Sequence, residues 1–176
     1  LDALDAARID AEIDGERVRE YIDELVNEGD AYVRVTVTRG KRDGLLAPTE
    51  ESPTVVVHAK PLDRRRYPPA TVETASEPRP VGVVGSHKTG CYLPNIVARA
   101  ETEKADEALM LSDGTAASGS VSNVFTVCDG TVRTPADRVR DGVTREAVLE
   151  EADERYETHV GEVALDDADA VFLTNT

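Results

Sequence analysis

Lysine is scarce in this 176-residue chain: only Lys41, Lys60, Lys88 and Lys104 stand among 20 basic residues, and the rest are arginine. Tryptophan is absent, and phenylalanine and cysteine occur twice each. Cys91 and Cys128 form no C-x-x-C pair and have no histidines at ligand spacing, which excludes a zinc site and leaves them as small apolar residues. No apolar run nears the roughly 18 residues that span a bilayer, and the first residues are acidic where a signal peptide is basic and then apolar. No membrane partner and a cytoplasmic location are therefore expected. Positive charge is also in deficit, 35 acidic residues against 20 basic giving a net charge of -15. This disfavours a nucleic-acid partner. The acids are spread along the chain rather than gathered in a tail, a pattern that reads as adaptation of the surface to high salt.

What is present alternates between helical and strand periodicity. From Gly15 to Gly29, Val18, Ile22, Leu25 and Val26 share one face of an amphipathic helix stopped by Asn27 and Gly29. Ala31 to Arg39 alternates as a half-buried strand, Thr54 to Ala59 repeats the pattern, and residues 40–53 between them read as a loop. The stretch from Pro61 to Pro80 is rich in proline, carries Arg64-Arg65-Arg66 and has one short strand candidate at Thr71 to Ala75. It is the expected junction, dividing the chain into 1–80 and 81–176. Beyond it come a helix from Pro94 to about Lys104, a strand from Ala108 to Leu111, and a hairpin of Val124 to Val127 and Thr131 to Thr134 around Asp129-Gly130. A helix from Gly142 to about Tyr156 and a strand from Ala170 to Leu173 follow. The chain opens without Met and stops after a strand-like run, so both ends are expected to continue in a longer protein.

Two features point to chemistry. Lys88, in Ser86-His87-Lys88-Thr89-Gly90-Cys91-Tyr92-Leu93-Pro94-Asn95, is a lysine in a chain that otherwise favours arginine. An amine that must deprotonate and attack a carbonyl cannot be an arginine, which makes Lys88 a candidate Schiff-base residue for an aldehyde cofactor. Gly142-Val143-Thr144 offers backbone amides and a hydroxyl at a helix start, where an anionic phosphate is held, although the same residues also make an ordinary helix N-terminus. Thr174-Asn175-Thr176 is a second hydroxyl-rich candidate that also reads as a polar turn.

Read in order, Lys88-Thr89-x-x-Tyr92-Leu93-Pro94-Asn95, Ala105 to Leu109, Gly119-Ser120-Val121-Ser122-Asn123-Val124-Phe125, Thr134-Pro135, Gly142-Val143-Thr144-Arg145 and Ala168 to Thr176 resemble the class-IV aminotransferases. These are fold-type-IV pyridoxal phosphate enzymes. The segment Tyr32 to Gly40 resembles the small-domain strand of the same family. The resemblance implies an α+β, two-domain fold lacking its N- and C-terminal segments, with a small α/β domain at 1–80 and a larger cofactor-binding domain at 81–176. It implies pyridoxal 5'-phosphate as cofactor, a small-molecule amino substrate and a homodimer. By position it makes Lys88 the Schiff-base and proton-transfer residue and Tyr92 the donor to the cofactor's phenolic oxygen. The phosphate would fall to Val143, Thr144 and Thr176. Asn123 is expected to shape the hairpin beside the cofactor rather than touch substrate.

One position departs from the family pattern. Where the family usually has a glutamate that pairs with the protonated pyridine nitrogen, this chain has Ser118, in Ala117-Ser118-Gly119-Ser120. A serine can hydrogen-bond a neutral ring but cannot neutralise a pyridinium. Branched-chain aminotransferases commonly read Gly-Glu-Asn-Leu-Phe where this chain has Val121-Ser122-Asn123-Val124-Phe125, so the resemblance leans to 4-amino-4-deoxychorismate lyase, an enzyme of folate biosynthesis, or to D-amino-acid aminotransferases. A branched-chain or D-amino-acid aminotransferase is the alternative, and a non-catalytic relic of the fold is the alternative from another class.

Overall fold

The computed structural model describes residues 2–41, 52–62 and 69–175. The arginine triplet at 64–66, most of the loop expected at 40–53, and Thr176 lie outside the described residues. The chain forms two compact units, Leu1–Pro68 and Pro69–Thr176.

The N-terminal unit contains helices α1 (Asp2–Ala6) and α2 (Gly15–Leu25) and strands β1 (Ala31–Thr38) and β2 (Thr54–Pro61). Asp14 caps α2, its carboxylate accepting from Glu16 N at 3.0 Å and Arg17 N at 3.1 Å, which satisfies two of the amides a helix start leaves open. The helix ends at Leu25, a turn short of the expected stop, where Val26 N closes back onto Ile22 O and its backbone leaves the helical conformation (φ -112°, ψ 89°). β1 and β2 pair antiparallel from Ala31↔Pro61 to Thr38↔Thr54.

In the C-terminal unit, helices α3 (Gly82–Ser86), α4 (Leu93–Glu101) and α5 (Val143–Asp153) accompany two sheets. One has the order β3-β4-β5, from Val72–Thr74, Glu107–Ser112 and Thr115–Gly119; the other has the order β8-β7-β6-β9, from Glu157–Gly161, Thr131–Pro135, Asn123–Cys128 and Ala170–Thr174. The short strand β3 belongs here because it pairs parallel with β4, and Asp106 fastens its start by accepting from Thr71 N at 2.8 Å and Thr71 Oγ1 at 2.7 Å. The break between units therefore falls before Pro69 rather than after residue 80. The Asp129-Gly130 hairpin forms as expected, both residues adopting positive φ (48° and 77°), the conformation that a two-residue turn between twisted strands demands. Phe125 is fully buried and stacks on its cross-strand partner Phe172, ring centroids 4.9 Å apart, so the two phenylalanines of the chain serve one core.

β5 and β8 were not expected from the sequence. β5 reads Thr-Ala-Ala-Ser-Gly, with only one β-branched residue, yet four of its five residues are buried beside β4. β8 is an exposed edge strand whose polar residues gain their conformation from parallel pairing with β7.

Candidate active site

Five pieces of the C-terminal unit meet at one pocket: the segment between β3 and α3, the loop between α3 and α4, the β5–β6 connection, the loop leading into α5, and the end of β9. Its lining includes Lys88, Ser118, Asn123, Gly142–Thr144 and Thr174. Lys88 is exposed on its loop, ahead of the helix that Pro94 starts.

The β5–β6 connection is shaped by a carboxylate that the sequence pattern marks only as part of a motif. Glu107, buried at the start of β4, accepts from Ala108 N at 2.8 Å, Ser120 N at 3.1 Å, Ser120 Oγ, and Ser122 Oγ at 2.9 Å. A buried charge is tolerable when its lone pairs are filled in this way. The result is a fixed turn at 120–122 that presents the pocket floor. The one-dimensional pattern does not mark this bonding, since Glu107 and Ser120 are brought together only by the pairing of β4 with β5.

The opposite wall is set by Asn123 and Arg145. Asn123 Nδ2 donates to Arg140 O at 2.9 Å, drawing the loop before α5 against the start of β6. The approach is close enough that a Cβ at Gly142 would sit 2.2 Å from Asn123 Oδ1. The side chain of Asn123 thus acts on the loop before α5 rather than on the β6–β7 hairpin it was expected to shape. Arg145 anchors the first turn of α5 from below, donating to Thr134 Oγ1 at 3.2 Å and Pro135 O at 2.8 Å. Burial pushes its guanidinium below the ordinary arginine value, opposed by Asp141 at 3.8 Å. Among the described residues no side chain caps the α5 start, so its first amides face the pocket region without a protein acceptor. Beside them Thr174 Oγ1 is buried and has no hydrogen-bond partner among the described residues.

Two further cations line the pocket. Arg79 is 5% exposed and donates to Gly85 O at 2.8 Å and Arg138 O at 3.3 Å, both neutral carbonyls. Burial, and secondarily Arg140, push its guanidinium down to about 10, which still leaves it charged at neutral pH. Arg140 reaches His87 O at 3.4 Å, and its Nε is buried without a partner among the described residues. Both arginines escaped the sequence reading because arginine is the commonplace cation of this chain.

Of the residues expected at the site, Lys88, Ser118, Val143 and Thr144 line the same pocket. Ser118 is buried and donates to Gly119 O at 2.9 Å; Thr144 Oγ1 donates to Asn175 O at 3.3 Å. Tyr92, half-buried at the N-cap of α4, is not among the pocket's lining. Thr176 lies outside the described residues.

A lysine and an uncapped helix start lining one cationic pocket suit an anionic carbonyl ligand, and the same chain matches the model of amino-transferase class IV over residues 2–176. The chain belongs to the class IV aminotransferase family. Its fold is that of the family's solved members. The branched-chain aminotransferase of Thermoproteus uzoniensis, solved with norvaline, superposes with a TM-score of 0.88 at 24% identity, over 99% of this chain and 64% of that one. A second branched-chain amino acid aminotransferase, from T.th. and solved with pyridoxamine 5'-phosphate, gives 0.84 at 29% identity, over 99% and 63%. A proposed 4-amino-4-deoxychorismate lyase of Legionella pneumophila gives 0.88 at 19% identity, over 99% and 69%. This chain thus spans less than two thirds of the length of the two branched-chain enzymes. No curated protein matches it. Among the described residues no helix is long and apolar enough to cross a membrane, and no group of three or more His, Cys, Asp or Glu could hold a metal ion.

Proposed function

We propose that the protein containing this chain is a pyridoxal phosphate enzyme acting on a small amino substrate, with Lys88 as its Schiff-base residue. The observation that carries this is the shared pocket: Lys88 lines the same cavity as the uncapped start of α5 and the orphaned Thr174 hydroxyl. The residues fit the cofactor at its amine and phosphate ends. When bound, it would supply an aldehyde for amine exchange and a conjugated ring that withdraws electrons from the substrate. Lys88 Nζ is the amine that anchors it and the base that moves a proton at the substrate's reacting carbon. Val143 N, Thr144 N and the Thr144 hydroxyl would hold the phosphate, the helix dipole adding to the hydrogen bonds, and the resemblance adds Thr176, which lies outside the described residues. Asn123 and Arg145 keep that helix start in place, and Glu107 keeps the facing turn. Tyr92 is proposed as a donor to the phenolic oxygen, and Ser118, which lines the pocket, as the residue that would meet the ring nitrogen.

Among the family's reactions, Val121-Ser122-Asn123-Val124-Phe125 favours the lyase and D-amino-acid branches over a branched-chain aminotransferase, and of these we propose 4-amino-4-deoxychorismate lyase, which eliminates pyruvate to leave 4-aminobenzoate, with an amino-acid aminotransferase as the alternative. We further propose a cytoplasmic homodimer in which the N-terminal segment forms the smaller domain.

The test is borohydride reduction of the full-length protein with pyridoxal phosphate, followed by peptide mapping. An adduct on Lys88, lost in Lys88→Ala and kept in Lys104→Ala, is expected. Retention of the adduct in Lys88→Ala would sink the assignment, and failure of the native protein to form one would favour a non-catalytic relic. Release of 4-aminobenzoate and pyruvate from aminodeoxychorismate, set against amino-group transfer from branched-chain or D-amino acids, separates lyase from transaminase.

A further inference from the structure

The pocket has an unusual charge balance. Arg79, Lys88 and Arg140 all line it, and the sole carboxylate among the described lining residues, Asp141, is exposed and lies 3.8 Å from Arg145. Glu107 is close in the fold but is not part of the lining, and its oxygens are occupied by the turn at 120–122. Arg79 is buried yet satisfied only by neutral carbonyls, and no carboxylate among the described residues pairs with it. A cationic ring entering this pocket would meet three cations against the one exposed carboxylate, Asp141, and an excess of like charge disfavours protonation. A neutral ring meets a hydroxyl: Ser118 Oγ now donates to the carbonyl of its own neighbour, Gly119, an intrachain bond that a rotation of the hydroxyl can exchange for a better acceptor.

We propose that Ser118, backed by Arg79 and Arg140, holds the ring nitrogen of the bound pyridine cofactor unprotonated, so that this enzyme works with a neutral ring. The inference rests on the proposed cofactor. Its chemical consequence is a weaker electron sink, which favours reactions in which the proton moves directly between Lys88 and the substrate over those that store a carbanion across the ring. Ser118 is thus a residue that selects among reactions, and Arg79 a positioning residue that acts through charge.

The experiment is the ¹⁵N spectrum of ring-labelled pyridoxal phosphate bound to the full-length protein, followed across the neutral pH range. The native protein is expected to give the signal of an unprotonated pyridine, with the protonated fraction at least about tenfold below that of a Ser118→Glu variant, the ratio that one unit of pKa represents. A protonated signal in the native protein would overturn the inference while leaving the proposed cofactor standing. Unprotonated signals in native and variant alike would remove Ser118 from the role. If the native protein takes up no cofactor, the proposed function falls and this inference with it. Ser118 is buried, so the glutamate variant is at risk of misfolding; the native spectrum decides the protonation state by itself.

Discussion

Removing the Glu107 carboxylate should unlock the turn that floors the pocket. In Glu107→Ala the donors at Ser120 N, Ser120 Oγ and Ser122 Oγ lose their acceptor, while Ala108 N loses a local one. Hydrogen bonds to a charged group contribute about 1.5–3 kcal/mol each, but these and a longer one from Val121 N at 3.4 Å share one carboxylate and part of the turn can open to water, so they do not add. A loss of about 3–5 kcal/mol is expected, in the range reserved for broken buried networks. Glu107→Gln keeps one acceptor oxygen and turns a donor toward other donors, for about 1–3 kcal/mol. At about 2–4 °C per kcal/mol for a chain of this size, the alanine variant should melt roughly 6–20 °C lower. Scanning fluorimetry with and without pyridoxal phosphate reads both effects, and the cofactor's stabilising shift should shrink as well, because the floor is no longer set. A Glu107→Ala protein within about 0.5 kcal/mol of native, with an unchanged cofactor-induced shift, would refute the reasoning.

Thr144→Ala should weaken pyridoxal phosphate binding by about 1–3 kcal/mol, the scale for a hydrogen bond to an anion, in a titration of the apo protein. Gly142→Ala places a methyl against Asn123 Oδ1, and should lower cofactor affinity with part of the loss recovered in Gly142→Ala/Asn123→Ala, a coupling that a double-mutant cycle of binding constants measures. Arg145→Met removes the bonds to Thr134 and Pro135 and should cost about 2–4 kcal/mol in urea unfolding. Backbone and side-chain hydrogen bonds from Thr71 hold the Asp106 carboxyl below its ordinary value, and bonds from Ser76 do the same for Glu101. A depressed carboxyl contributes stability above its unfolded pKa that is lost as pH falls through the folded one, so the melting difference between native and Asp106→Asn should close on acidification. A difference that is constant from neutral to acid pH would contradict it.

Much of the fold was legible because local patterns and tertiary needs agreed. Val33, Val35 and Val37 alternate with polar partners and form β1, Asp129-Gly130 permits the positive φ of a tight turn, and Pro94 opens α4 where its missing amide costs nothing. Lys88 and the Gly142–Thr144 helix start stood out for a chemical reason, since an amine cannot be replaced by a guanidinium and an anion needs free amides. Tertiary structure alone decided the rest. β5 is built of small residues with weak strand preference and exists because β4 lies beside it. The charge of the pocket could not be read from composition: an acidic chain carries a cationic pocket because Arg79 and Arg140, far apart in sequence, line it with Lys88, while the described acids other than the buried Glu107 stay exposed or half-buried, where water solvates them. Glu107 gained its role in the same way, since a carboxylate becomes an organising centre only when distant donors are brought to it out of water.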